Sequence, residues 1–187
     1  MKLYDQDSSE YPLFYFPFNN NYSDFENEIE VNSYSMNLEE NYAVFNGNSI
    51  LNYPDFFMLN MNTYTILFDA YFNINNLRGT ILSRNNFNFA INNNLQDEIE
   101  FVISINDENY SFNILKTTIH NKWTSFKFFF GEKIIVYIND EIKFQKKISI
   151  DHVFPDYLVF GENLKPEIIN YISNMKLKNL SIYDYEK

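Results

Sequence analysis

Residues 63–72 read TYTILFDAYF, and apolar side chains occupy every second position along them. Successive side chains of a β-strand point to opposite faces of the sheet, so this period of two gives the segment one core face and one wetter face. A strand of this kind belongs to an antiparallel sheet that is packed on one side. The core-facing set is Tyr64, Ile66, Phe68, Ala70 and Phe72.

The same period recurs in residues 98–105 (EIEFVISI) and 123–130 (WTSFKFFF). Turn-forming pairs such as Asn106-Asp107 separate these segments, and Asn46-Gly47 predicts a hairpin because both residues accept positive φ. The last apolar run, residues 172–183, changes phase near Asn179, which predicts a bulge. About a dozen short strands at this spacing are typical of a β-sandwich or barrel.

Composition agrees with a protein built from strands. The chain has 20 Phe and 15 Tyr, which favour sheets, whereas alanine, the best helix former, occurs only at positions 43, 70 and 90. A length of 187 residues fits one all-β domain. We expect a polar N-terminal tail over residues 1–10 and a single domain over residues 11–187.

The formal net charge of −11 disfavours nucleic acids and anionic membrane surfaces as partners. The absence of cysteine excludes disulfides and thiolate zinc sites. Residues 1–7 lack the basic and apolar regions of a signal peptide, and no apolar run is long enough to cross a bilayer. The expectation is synthesis in the cytoplasm; association with a virion or export by a non-standard route is equally compatible.

Several short motifs follow one another in a recognisable order. They are FNGN at 45–48, GTILS at 79–83, NKWT at 121–124, IVYINDE at 135–141 and LVFG at 158–161. Their order resembles that of the concanavalin A-like lectin/glucanase superfamily, which includes laminin-G-like domains, and of the lectin-like half of the clostridial neurotoxin binding region. The resemblance implies a two-sheet antiparallel jelly-roll sandwich, with one sheet commonly concave. It also implies that Trp123 lies in or near the core.

The superfamily contains glycanases as well as binding modules, so the carboxylates need separate consideration. The resemblance implies that a glycanase would carry Glu-x-Asp-x-x-Glu on one strand. Glu98 and Glu100 share a strand face, but the third position is Val102. His120 and His152 show no metal-ligand or catalytic spacing. We therefore predict no catalytic residue, no metal ligand and no enzymatic activity.

Aromatic residues in predicted loops are the candidates for ligand binding. Tyr53 and Phe56 lie in one such loop and Tyr157 in another. No cofactor is predicted. Calcium is left open, because the loop containing Asn19–Asn21 and Asp24 could converge with Asp184 at the end of the last strand.

The leading interpretation is a non-catalytic recognition module that binds carbohydrate or a protein surface through loops or the concave sheet. The alternative is a structural subunit of a larger assembly, such as a virion or toxin complex. A glycoside hydrolase ranks third, because the carboxylate triad is incomplete.

Overall fold

The computed structural model describes residues 12, 14–16, 18, 32–34, 37–53, 63–73, 75, 77–84, 86–93, 95–147, 158–162 and 172–183. These residues are organised almost entirely as β-strands, with one short helix, α1 (Lys116–Ile119). In chain order the strands are β1 (Phe14–Phe16), β2 (Asn32–Tyr34), β3 (Asn37–Glu39), β4 (Tyr42–Asn46), β5 (Ile50–Tyr53), β6 (Tyr64–Phe72), β7 (Arg78–Arg84), β8 (Phe87–Asn92), β9 (Glu98–Ile105), β10 (Glu108–Leu115), β11 (Trp123–Phe130), β12 (Ile134–Ile138), β13 (Glu141–Lys146), β14 (Leu158–Phe160) and β15 (Ser173–Tyr183).

The strands form two antiparallel sheets. The larger has the order β13-β12-β11-β6-β15-β4-β3, with β1 pairing to β15. The smaller has the order β10-β9-β8-β7-β14-β5-β2. Neighbours in each sheet often come from distant parts of the chain, as in a jelly roll, and the predicted all-β two-sheet sandwich is confirmed.

The inner faces of the two sheets enclose an aromatic core. Phe68, on the central strand β6, stacks on Phe126 of β11 at a centroid distance of 5.3 Å. It also meets Phe160 of the smaller sheet edge-on at 5.2 Å. These contacts join the two layers of the sandwich, since edge-to-face and stacked rings are the preferred aromatic packings. The inward set predicted for β6 is confirmed: its members are at most 2 % exposed, and they are Tyr64, Ile66, Phe68, Ala70 and Phe72.

The prediction of a hairpin at Asn46-Gly47 is wrong. The strands on either side, β4 and β5, belong to different sheets, so the turn carries the chain across the sandwich. Gly47 adopts φ 97°, and its amide donates a hydrogen bond to the carbonyl of Ile172 at 3.1 Å. Asn-Gly supplies the positive φ for a sharp change of direction, but it does not determine whether the outgoing strand pairs with the incoming one.

The bulge predicted near Asn179 is confirmed. The register of β15 against β6 shifts between Lys178 and Ser181, and Asn179 has φ 53°. Before the bulge the apolar residues that face the core have odd numbers, such as Leu177. After it they have even numbers, such as Leu180. The bulge thus keeps both halves of a long strand in contact with the core.

Candidate functional site: an aromatic–lysine face on the larger sheet

The outer surface of the larger sheet carries a cluster of rings and lysines at its centre. The cluster is assembled from strands β4, β6, β11 and β15, which are consecutive in the sheet as β11-β6-β15-β4. We refer to it as the aromatic–lysine face, and its members are Tyr42, Tyr71, Trp123, Lys176 and Lys178.

Trp123 is the centre of this face and is 37 % exposed. Its ring lies 5.9 Å from that of Tyr42 and 5.7 Å from that of Tyr71, tilted by 57° and 59° respectively. The ammonium Nζ of Lys178 lies over the indole, 4.1 Å from the ring centroid, which is within the range of a cation–π contact. The indole is therefore held in place on several sides while part of its surface remains open.

Lys176 fixes the neighbouring tyrosine. Its Nζ lies 4.4 Å from the centroid of Tyr42 and donates a hydrogen bond to the Tyr42 hydroxyl at 3.1 Å. The hydroxyl in turn donates to Glu39 Oε2 at 2.9 Å. The hydrogen bond to Tyr42 is the main cause that raises the pKa of Lys176 above its ordinary value, against a smaller opposing effect of burial, and Glu39 adds to the rise. Lys176 is consequently a fixed positive charge at neutral pH.

Polar groups border the rings at the bulge of β15. Lys178 pairs in register with Asp69, and the amide of Asn179 donates to Asp69 Oδ2 at 2.7 Å. A carboxylate and an amide thus lie next to the strand position of Lys178, whose ammonium lies over the indole. Such a combination of an apolar platform with a few placed polar groups is the usual composition of a small-molecule binding site.

A second lysine–tyrosine pair lies farther along the same surface. Lys127 of β11 and Tyr137 of β12 are direct register partners, and Lys127 Nζ lies 4.2 Å from the Tyr137 ring centroid. This pair repeats the local chemistry of the aromatic–lysine face without an indole.

The residues predicted from the loops lie elsewhere or outside the described part of the chain. Tyr53 ends β5 in the smaller sheet, where it pairs in register with Leu158. Phe56 and Tyr157 lie outside the described residues, and so do the proposed calcium ligands at Asn19–Asn21, Asp24 and Asp184. The loop site and the calcium site stay predictions.

The carboxylates considered for catalysis lie on the smaller sheet. Glu98 and Glu100 share the outer face of β9, as predicted. Asn113 donates an amide hydrogen bond to Glu98 at 3.1 Å, and Asn92 donates one to Glu100 at 3.3 Å. Within the described ranges, no group of three or more His, Cys, Asp or Glu side chains is placed to hold a metal ion.

The position expected for Trp123, in or near the core, is wrong. In residues 123–130 the side chains of Thr124, Phe126 and Phe128 are fully buried, so the alternation places residue 123 on the outer face. That signal was present in the sequence. The sequence gives no such signal for the residues that contact Trp123. Tyr42 and Lys178 lie far from it in the chain, and only the order of strands in the sheet brings them close.

The fold is a two-sheet antiparallel jelly-roll sandwich. Among solved structures, the chain is similar to the binding domain of botulinum neurotoxin DC in complex with SialylT, with 14 % identity, a TM-score of 0.65 and coverage of 94 % of this chain and 48 % of that one. It is also similar to botulinum neurotoxin type C, whose way into cells is dependent upon interaction with two ganglioside molecules, with 15 % identity, a TM-score of 0.63 and coverage of 95 % and 48 %. A heptameric pentraxin from Limulus polyphemus shows 13 % identity, a TM-score of 0.51 and coverage of 68 % and 66 %.

These similarities establish the fold. The chain spans about half the length of the neurotoxin chains it matches. No family model matches the sequence, and no curated protein matches it. No helix in the described part of the chain is long and apolar enough to cross a membrane.

Proposed function

We propose that residues 11–187 form a non-catalytic recognition module that binds a glycan on the aromatic–lysine face. The observation that carries this proposal is the partly open indole of Trp123, braced by Tyr42 and Tyr71 and bordered by hydrogen-bonding side chains. A sugar ring presents an apolar C–H face and a rim of hydroxyl groups. The first matches an aromatic platform and the second matches Asp69, Asn179 and the lysines.

The platform is held by the sheet rather than by a loop. Trp123 and Tyr71 are register partners on adjacent strands, and Lys176 is the register partner of Tyr71 on the other side. Side chains held in this way lose little freedom on binding, so less of the interaction free energy is spent on ordering the site.

Similar structures support a glycan as the ligand. One neurotoxin binding domain was solved in complex with SialylT, and another neurotoxin depends upon gangliosides, which are glycolipids. Both are binding proteins with this fold. The incomplete carboxylate set on β9, where Val102 takes the third position, supports recognition without hydrolysis.

A protein partner or a larger assembly is the second candidate. Leu115 on β10 is 56 % exposed and Ile142 on β13 is 54 % exposed, and these strands are the last of their sheets in the strand order. A stable protein interface buries about 800 Å² on each partner, much more than two separate side chains supply. The aromatic–lysine face groups rings and lysines in mutual contact, whereas Leu115 and Ile142 lie on different sheets, and this favours the glycan.

A glycan array probed with the purified chain, in calcium and again in chelator, tests the proposal. We expect the wild type to bind a defined group of glycans, Trp123→Ala to lose this binding, and Tyr137→Ala, on the same sheet face, to keep it. A blank array with the wild type in both conditions, or unchanged binding by Trp123→Ala, would refute the proposal. Loss of binding in chelator alone would add the calcium site that the sequence leaves open.

A further inference from the structure

Lys178 occupies the surface on which a sugar would stack. Its Nζ lies 4.1 Å from the centroid of the Trp123 ring, over the indole. Lys178 and Trp123 stand on β15 and β11, with β6 between them, so the lysine reaches across a strand to the ring. A ligand that covers this part of the indole has to displace the ammonium.

Two carboxylates near the aromatic–lysine face accept hydrogen bonds from uncharged donors. Glu39 accepts from the Tyr42 hydroxyl, and Asp69 accepts from the Asn179 amide. Lys176 is bonded to Tyr42 and keeps its charge there. Lys178 is the lysine of the face whose ammonium lies over the partly exposed indole.

We propose that Lys178 is the specificity-determining residue of the aromatic–lysine face, and that it selects sugars carrying a carboxylate or sulfate group over neutral sugars. This inference rests on the proposed function. A neutral sugar that stacks on Trp123 removes the ammonium from the ring and gives it no anion in return. Loss of an exposed cation–π contact weakens binding by roughly two- to five-fold.

An anionic sugar has the opposite effect. Its carboxylate or sulfate accepts a hydrogen bond from the displaced ammonium, and a charge-assisted hydrogen bond is roughly twice as strong as a neutral one. Lys176, held by Tyr42, adds positive potential on the same surface. The lysine thus opposes one class of ligand and attracts the other, which is how specificity usually arises.

Isothermal titration calorimetry with three tetrasaccharides tests this assignment. The probes are cellotetraose, which is neutral, a hyaluronan tetrasaccharide, which carries carboxylates, and a heparin-derived tetrasaccharide, which carries sulfates as well. The variants are Lys178→Met and Lys127→Met. The second is a matched control, because it also removes one charge and one lysine–ring contact from the same sheet face, at Tyr137 rather than at Trp123.

We expect the wild type and Lys127→Met to bind at least one charged tetrasaccharide about tenfold more tightly than cellotetraose. In Lys178→Met that ratio should fall to about threefold or less, partly because neutral binding improves. Comparison of the two charged probes distinguishes a carboxylate from a sulfate requirement. Circular dichroism confirms that the variants fold.

Two results would overturn the assignment. Equal affinity of the wild type for charged and neutral probes, or equal losses in Lys178→Met and Lys127→Met, would reject Lys178 as the determinant while leaving glycan binding intact. Absence of binding to all three probes together with a blank array would reject the proposed function as well.

Discussion

Trp123 and Lys178 are 55 positions apart in the chain, yet the ammonium of one lies 4.1 Å from the ring centroid of the other. Both side chains point away from the core, and only β6 separates their strands in the sheet. The contact leaves the indole 37 % exposed. A charge and an open ring are thereby placed together on a surface that the sheet holds rigid.

The first prediction separates the core of the sandwich from this surface. Phe68→Ala removes a fully buried ring that packs against both layers, so it should lower the free energy of unfolding by about 3–5 kcal/mol. Trp123→Ala should cost much less, because the indole packs only on the outer face. Urea denaturation of the two variants measures both values. Equal losses would show that Trp123 is a structural residue.

A second prediction concerns Gly161, at the end of the LVFG motif. This glycine has φ +93°, and a Cβ there would lie 2.3 Å from the carbonyl oxygen of Ser49. Gly161→Ala should therefore destabilise the fold by about 1–3 kcal/mol or more, because the positive φ and the clash with a backbone carbonyl can be relieved only by moving the backbone.

Gly131→Ala serves as the comparison for Gly161. It lacks the positive φ, and its nearest contact is the far end of the Phe129 ring at 2.8 Å, which can shift. Thermal unfolding should show a markedly lower Tm for the Gly161 variant than for the Gly131 variant. A reversed order would contradict the account of this turn.

The third prediction is a pH dependence at Lys176. Because the pKa of Lys176 is raised in the folded state, the stabilisation is fully present below the unfolded value of about 10.5 and is lost as the pH rises through the folded value. Tyr42→Phe removes the hydroxyl and should bring the pKa of Lys176 down towards its ordinary value.

An NMR titration of the Lys176 side chain between neutral and alkaline pH measures this change. Tyr137→Phe is the control, since that ring contacts Lys127 and should leave Lys176 unaffected. The same Lys176 pKa in the wild type and in Tyr42→Phe would rule out the hydroxyl as the cause.

A fourth prediction concerns the acidic residues. Glu98→Gln and Glu100→Gln should leave glycan binding unchanged, since both carboxylates lie on the smaller sheet and bond to asparagine amides there. Asp69→Asn should weaken the binding of a neutral glycan, because it removes the carboxylate beside Lys178 that accepts hydrogen bonds from sugar hydroxyls. Calorimetry with a glycan selected on the array gives the comparison. Weakened binding in either glutamate variant would move the site to the smaller sheet.

The strands and their faces could be predicted from the sequence, because a period of two is a local property. The inward side of TYTILFDAYF and the bulge at Asn179 both followed from it. The pairing of strands could not be predicted in the same way. Asn46-Gly47 satisfies the local geometry of a hairpin, but the core contacts of β4 and β5 place them in different sheets.

The candidate site was harder to predict than the fold. Tyr42, Trp123 and Lys178 come from three separate strands, and only the sheet order brings them together. In a chain with 20 phenylalanines and 15 tyrosines, aromatic content alone does not distinguish an exposed ring from a buried one. The alternation of buried and outward-facing positions along β11 does make that distinction for Trp123.

The most direct test of the central claim uses the fact that the chain contains one tryptophan. Emission excited at a wavelength that tryptophan absorbs and the 15 tyrosines do not therefore reports on Trp123 alone. With a glycan from the array at saturation, we predict an emission shift to shorter wavelength and protection of the indole from acrylamide quenching. Full occupancy by calorimetry with unchanged emission and unchanged quenching would contradict binding on the aromatic–lysine face.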